Sequence, residues 1–134
     1  MATAVFLHAH PDDEALATGG TMARLADEGH RVVLVVATNG EEGEPVEGVL
    51  DEGEALGDRR ATEVADAAAI LGVARVEYLD YRDSGMAGAA TNDHPDCFWQ
   101  ADVDEAAARL GSLLADEQVD LAVVYDPNGG YGHP

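Results

Sequence analysis

The chain has 134 residues, 27 of them acidic against 7 arginines and no lysine, for a formal net charge of −20. So acidic a surface repels nucleic-acid phosphates and anionic lipid headgroups, which removes both from the expected partners. Apolar residues make up 46% of the chain, enough for one core in a single domain, and no apolar run reaches the roughly 20 residues of a membrane span. Cys97 is the only cysteine, so no internal disulfide can form. Met-Ala-Thr-Ala leads straight into a strand with no basic segment before it, so no signal peptide is expected either. Together these predict a cytoplasmic protein.

The short apolar run Thr3 to Ala9 predicts a buried strand ended by Pro11. From Asp13 to about Asp27, Leu16, Met22, Leu25 and Ala26 recur at helical spacing, and Gly29 is placed to end that helix. Gly19-Gly20 inside the pattern suggests a close approach to the sheet or to a ligand. Arg31 to Thr38 holds a β-branched run suited to a strand covered on both faces. Asn39 to about Gly57 carries five Gly, one Pro and seven acidic residues and reads as a long functional loop. A helix follows over roughly Asp58 to Leu71, with Val64, Ala67, Ala68 and Leu71 as its stripe. Arg75 to Tyr81 is a third strand, Ser84 to about Gln100 a second loop, Ala101 to Glu117 a third helix, and Asp120 to Tyr125 a fourth strand.

Four strands alternating with three helices predict an α/β fold, a Rossmann-like doubly wound parallel sheet in one domain over residues 1–134. In that class ligands bind beyond the carboxyl ends of the strands, where strand order reverses. The polar, Gly-rich segments His10–Glu14, Asn39–Glu44, Arg82–Met86 and Asp126–His133 each follow a strand, so all four are expected on one rim.

His10-Pro-Asp12-Asp13-Glu14 is the most chemically loaded of them. A histidine and two carboxylates at a strand-to-helix turn suit a zinc ion and a base that manages its water. The alternative for the two aspartates is helix capping, favoured by the helix dipole.

Ala9-His-Pro-Asp-Asp-Glu14, together with Asp126-Pro-Asn-Gly-Gly-Tyr-Gly-His-Pro134 after the fourth strand, resembles the LmbE-like or PIG-L family of zinc-dependent N-deacetylases. Thr38-Asn-Gly-Glu-Glu-Gly-Glu44 and Arg82-Asp-Ser-Gly-Met86 extend the match over essentially the whole chain. The pattern is most similar to the actinobacterial branch acting on N-acetylglucosaminyl-inositol in mycothiol synthesis, beside the mycothiol-conjugate amidases. The resemblance implies hydrolysis of an N-acetylglucosamine-type amide, a small-molecule substrate and one zinc per chain. It makes His10 and Asp13 zinc ligands, Asp12 the general base, and His133 the oxyanion stabiliser or general acid. It places Arg60, Asp83, Tyr131 and Glu44 in contact with substrate. The family's third ligand is a histidine three residues after the one matching His133, so it is expected beyond Pro134, and the 134 residues are expected to be the N-terminal portion of the fold.

Those roles agree with elementary chemistry: a carboxylate can take a proton from zinc-bound water, and zinc, Tyr131 and His133 can counter charge on the amide oxygen. Arg60 could fork onto sugar hydroxyls, or else pair with acidic loop residues; Asp83 could accept from the sugar, or else cap a turn. His8 reads as a core histidine, with support of the metal site as its alternative. His30 is assigned to a helix C-terminus, and Cys97 and Trp99 to anchoring the second loop. His94-Pro-Asp96 lacks the second Asp and the helix, and reads as chance similarity. Ser84 is not a nucleophile, since Gly-x-Ser-x-Gly is absent. Metallo-β-lactamase-like and amidohydrolase readings of His8-x-His10-x-Asp12 fit neither the motif at Asp13 nor the chain length. The alternative of another class is a non-catalytic Rossmann-like binding module or inactive fragment, against which stands the missing Gly-x-Gly-x-x-Gly. A homo-oligomer is compatible with the sequence, which does not decide it.

Overall fold

A computed structural model describes residues 1–134. Its sheet has four strands, β1 (Thr3–His8), β2 (Arg31–Thr38), β3 (Arg75–Tyr81) and β4 (Leu121–Val123), in the order β3-β2-β1-β4. All three pairings are parallel, with Val5 opposite Val33 on one side and Ala122 on the other. The chain therefore runs outward from β1 through β2 to β3, then returns to the far side of β1. The order reverses between β1 and β4, and the predicted doubly wound sheet is present.

Strand period decides the two cores. Ala4, Phe6, Val32, Leu34 and Val36 face α1 (Gly19–Asp27) and α2 (Leu56–Leu71) through Met22 and Val64. Val5, Val33, Val35 and Ala37 face the other way, against Leu110, Leu113 and Leu114 of α3 (Val103–Glu117). Val32 through Val36 are wholly buried, as a central strand covered on both faces must be. Each such side chain, withdrawn from water, contributes about 1.5–3 kcal/mol. At the opposite end from the loops, Glu117 accepts from Arg31 and Arg75, both at 2.7 Å, which fastens the end of α3 beneath β2 and β3.

Several local expectations change. The first helix is not continuous: Glu14–Thr18 forms a π turn before α1 begins. Thr18 Oγ1 lies 3.3 Å from the Glu14 carbonyl, a back-bond of the kind that distorts helices. The widened turn takes Leu16 off the apolar stripe and leaves it 81% exposed. Gly19 is not forced by crowding, because an added Cβ would meet nothing nearer than the Glu14 carbonyl oxygen at 3.5 Å. Helix α2 begins two residues before Asp58, at Leu56. Helix α3 begins at Val103, because Asp102 is the cap and accepts from Glu105 N–H at 3.0 Å. The fourth strand stops at Val123, where pairing to β1 ends at Phe6, so Tyr125 lies beyond it.

The second loop is pinned rather than open. It contains 3₁₀ turns at Ala90–Asp93 and Phe98–Gln100 and a bridge between Arg82 and Cys97. Cys97 is buried and anchors it, but Trp99 is 54% exposed; the aromatic anchor is its neighbour Phe98, 5.0 Å from the Tyr81 ring. The His30 side chain accepts from Ala2 N–H at 3.1 Å, and only its backbone N–H serves the helix end, on the Leu25 carbonyl.

Candidate active site

The crevice lies where the sheet's order reverses. The turn after β1, the ends of β2 and β3, and the segment after β4 converge there on a cavity of about 350 Å³ lined by His10, Asp13, Thr38, Asp83, Tyr131 and His133. In the adjoining groove Glu42 and Gly43 join His10, Asp83 and His133, so the four rim segments meet as the strand order requires.

Asp13 stands at the N-cap position, but neither aspartate side chain makes a capping hydrogen bond. Asp13 Oδ2 accepts from the His10 backbone N–H and the Tyr125 hydroxyl, each at 3.0 Å. Asp12 adopts φ +116°, a region costly for a residue with a side chain. Three contacts hold it there. Its N–H donates to Glu14 Oε2 at 2.9 Å, Arg60 donates to the Pro11 carbonyl, and Arg60 Nη2 lies 3.4 Å from Asp12 Oδ2. Arg60 also donates to the Gly40 carbonyl at 2.8 Å. Gly40 has φ +68°, and an added Cβ there would overlap the guanidinium; the glycine-rich loop is shaped around this arginine. Arg60 pairs with Asp12 rather than with the loop's acids.

His10 stands between two carboxylates, with Nδ1 3.4 Å from Asp13 Oδ2 and Nε2 3.0 Å from Asp83 Oδ1. Burial opposes charge on the ring, but the two carboxylates more than reverse this and raise its pKa to about 9. Burial likewise opposes charge on Asp13, yet His10, its backbone N–H and Tyr125 lower that carboxyl to about 2. Asp12 is raised by burial, with Arg60 acting against the shift. Glu14, almost fully buried, is raised by burial as well.

Asp83 is 3% exposed. Its N–H donates to Glu41 Oε2 at 2.9 Å and its Oδ2 accepts from Glu42 N–H at 3.2 Å. Apart from its ion contact with His10, Oδ1 is buried with no hydrogen-bond partner. His133 stacks edge-on to His10, ring centroids 4.6 Å apart, and Tyr131 to His133 at 6.0 Å. Tyr131 is mostly exposed. Glu44 is exposed and lines a neighbouring groove with Asp12, Arg59 and Arg60, away from His10. Ser84 accepts from Trp99 N–H at 2.9 Å and lines the cavity beside Asp83, whereas His94 accepts from Asp96 N–H away from it.

Glu14, Glu41, Glu42, Thr18 and Tyr125 went unassigned in the sequence. Glu14 carried a signal there as the last residue of the His-Pro-Asp-Asp-Glu run, and Glu41 and Glu42 as part of the Thr38–Glu44 segment; Tyr125 meets the turn across 112 positions.

No three His, Cys, Asp or Glu side chains are arranged to hold a metal by themselves. The pair present does fit zinc. Its 3.4 Å separation is about the ligand-to-ligand edge of a tetrahedron with ~2.0–2.1 Å bonds. Carboxylates that keep His10 cationic also make a field that favours a bound cation.

In the metal-free protein these shifts set a pH window. His10, raised above 6.5 to about 9, contributes stability fully below about pH 6.5 and loses it as pH rises through about 9. Asp13, lowered from 3.8 to about 2, contributes above about pH 3.8 and loses it as pH falls through about 2. The melting temperature of metal-free wild type should therefore exceed that of His10→Gln near pH 6, and the gap should close by about pH 10. A gap unchanged across that range would refute the assignment.

A parallel sheet with a histidine–carboxylate pair and a second, strained carboxylate at its switch point is an α/β protein with its polar crevice where that class binds ligands. The chain belongs to the PIG-L family, described as GlcNAc-PI de-N-acetylase, which it matches over residues 5–134. It is 50% identical to the 1D-myo-inositol 2-acetamido-2-deoxy-alpha-D-glucopyranoside deacetylase of Thermobifida fusca, over 97% of this chain and 49% of that protein. It is 49% identical to the protein of that name from Acidothermus cellulolyticus, over 97% and 48%. The chain thus spans about half the length of the curated relatives it matches. Among solved structures it is similar to the N,N'-diacetylchitobiose deacetylase from Pyrococcus horikoshii, with TM-score 0.71 and 28% identity over 93% of this chain and 41% of that one. It is equally similar to GalB, the 4-carboxy-2-hydroxymuconate hydratase of Pseudomonas putida KT2440, with TM-score 0.71 and 29% identity over 100% and 52%.

Proposed function

We propose that this chain carries the metal and base machinery of a zinc-dependent N-deacetylase, a hydrolase that removes an acetyl group from an N-acetylglucosamine-type amide. The observation that carries the reading is the meeting of His10, Asp13, Asp83 and His133 on one cavity, in a chain 50% identical to a deacetylase of a glucosaminyl-inositol. His10 and Asp13 hold the zinc, and the third ligand, a histidine, is expected beyond Pro134. Bound zinc supplies a water of pKa about 7 and polarises the amide carbonyl.

Asp12 accepts the proton of the attacking water. Its raised pKa brings it nearer the range useful to a base at neutral pH. His133 donates to the amide oxygen as charge develops there, or protonates the departing amine; Tyr131 beside it donates to the same oxygen. Asp83, whose carboxylate lines the cavity beside His10, accepts from a sugar hydroxyl. Arg60 and Glu44 border the sugar on the far side of Asp12. The substrate is a small molecule and the setting cytoplasmic.

Acetate release from a panel of N-acetylglucosaminides by the zinc-loaded whole protein tests this. The expected result is equimolar acetate and free amine, greatest with an inositol-linked N-acetylglucosamine and abolished by a chelator. A whole protein that binds close to one zinc yet releases acetate from no member is not this deacetylase. The likeness to GalB favours water addition to a carbon–carbon double bond as the second reading, scored by hydration of an unsaturated carboxylate. A protein that takes up no zinc would support the binding-module or inactive-fragment alternative.

A further inference from the structure

Behind Asp13, three side chains from separate parts of the chain stand in line. Thr18 Oγ1 is 2.8 Å from His8 Nε2, His8 Nδ1 is 3.1 Å from the Tyr125 hydroxyl, and that hydroxyl is 3.0 Å from Asp13 Oδ2. His8 is 3% exposed, so water does not replace these partners. The Tyr125 ring stands edge-on to His8, at 84° between planes. The π turn places Thr18 at the end of the line, and such turns recur at functional sites.

The order of the protons follows from what each group can do. A carboxylate that ligates a metal is ionised and only accepts, so the single Tyr125 proton points to Asp13. The Tyr125 oxygen must then accept from His8, which puts the imidazole proton on Nδ1. Nε2 is left with a lone pair and accepts from the Thr18 hydroxyl, whose other acceptor, the Glu14 carbonyl, is farther away at 3.3 Å. The reverse order would leave Tyr125 and Asp13 oxygens 3.0 Å apart with no proton between them.

We propose that Thr18, His8 and Tyr125 form a one-directional hydrogen-bond chain that orients the Asp13 carboxylate for its metal. All three are positioning residues. The proposal rests on Asp13 being a zinc ligand. The His10 backbone N–H and Tyr125 both donate to Oδ2, which fixes the carboxylate plane. Groups that hold a ligand in this way typically affect metal affinity by about 10–100-fold.

The test uses zinc alone and the whole protein. ¹⁵N NMR of the wild type should show neutral His8 protonated at Nδ1, with a pyridine-type Nε2. Competition with a chelator should show Tyr125→Phe binding zinc about 10–100-fold more weakly. Thr18→Val, three hydrogen bonds from the carboxylate, should weaken zinc in the same direction by less, with the His8 proton still on Nδ1. An Nε2-protonated His8 in the wild type overturns the proposal, as does a Tyr125→Phe protein that holds zinc as tightly as wild type. If Tyr125→Phe does not fold, the wild-type tautomer and Thr18→Val still decide it. A wild type that takes up no zinc refutes the metal-site reading instead, and the His8 tautomer then judges the chain separately.

Discussion

Asp12→Asn is expected to keep zinc at close to one per chain while turnover falls about 10²–10⁴-fold, the usual contribution of a general base. The side chain keeps its shape but can no longer accept the water's proton. The metal should stay because Asp12 is not one of the paired donors: its carboxylate faces Arg60 at 3.4 Å, whereas Asp13 and His10 face each other. The backbone at φ +116° is held by Glu14 and Arg60 through main-chain contacts, and these survive the substitution. Metal analysis beside single-turnover acetate release checks the prediction. Near-normal turnover would move the base elsewhere.

Asp13→Ala should do the reverse and strip the metal. It removes a ligand and also leaves the Tyr125 hydroxyl and His10 N–H without their shared acceptor, costing about 1–3 kcal/mol of stability for the stranded groups. Zinc content after dialysis should fall close to zero, and activity should return only with a large excess of metal. Equal loss of zinc in the Asp12 and Asp13 variants would overturn the division of roles between the two neighbours.

The expected division comes from the family resemblance; what is legible in the residues themselves is a pair of carboxylates beside His10 at a strand-to-helix turn. Legible too are the three longer strands: β2 and β3 fall on the expected residues, and β1 ends one residue early. Apolar β-branched runs bounded by Gly and Pro leave little choice. Where the expectations miss, a contact distant in sequence outweighs local preference. The helical spacing around Leu16 is genuine, but Thr18 turns to His8 and to the Glu14 carbonyl, and the helix widens. Trp99 looks like an anchor by size, yet the parallel bridge between Arg82 and Cys97 directs Phe98 inward instead.

The turn after β1 shows the boundary most plainly. Sequence by itself determined the alternating α/β elements, the rim on which every polar segment falls, and the His-Asp-Asp triplet, because these follow from periodicity and from residues a few positions apart. Tertiary structure alone decided what surrounds that triplet. With β4 beside β1, Tyr125 reaches Asp13 and His8. The segment after β3 brings Asp83 to His10, and α2 delivers Arg60 to the main chain of the turn. Such contacts depend on strand order, and no local pattern encodes it. Two strands of the same composition can lie side by side or at opposite edges of a sheet; only the packing of both faces selects between them.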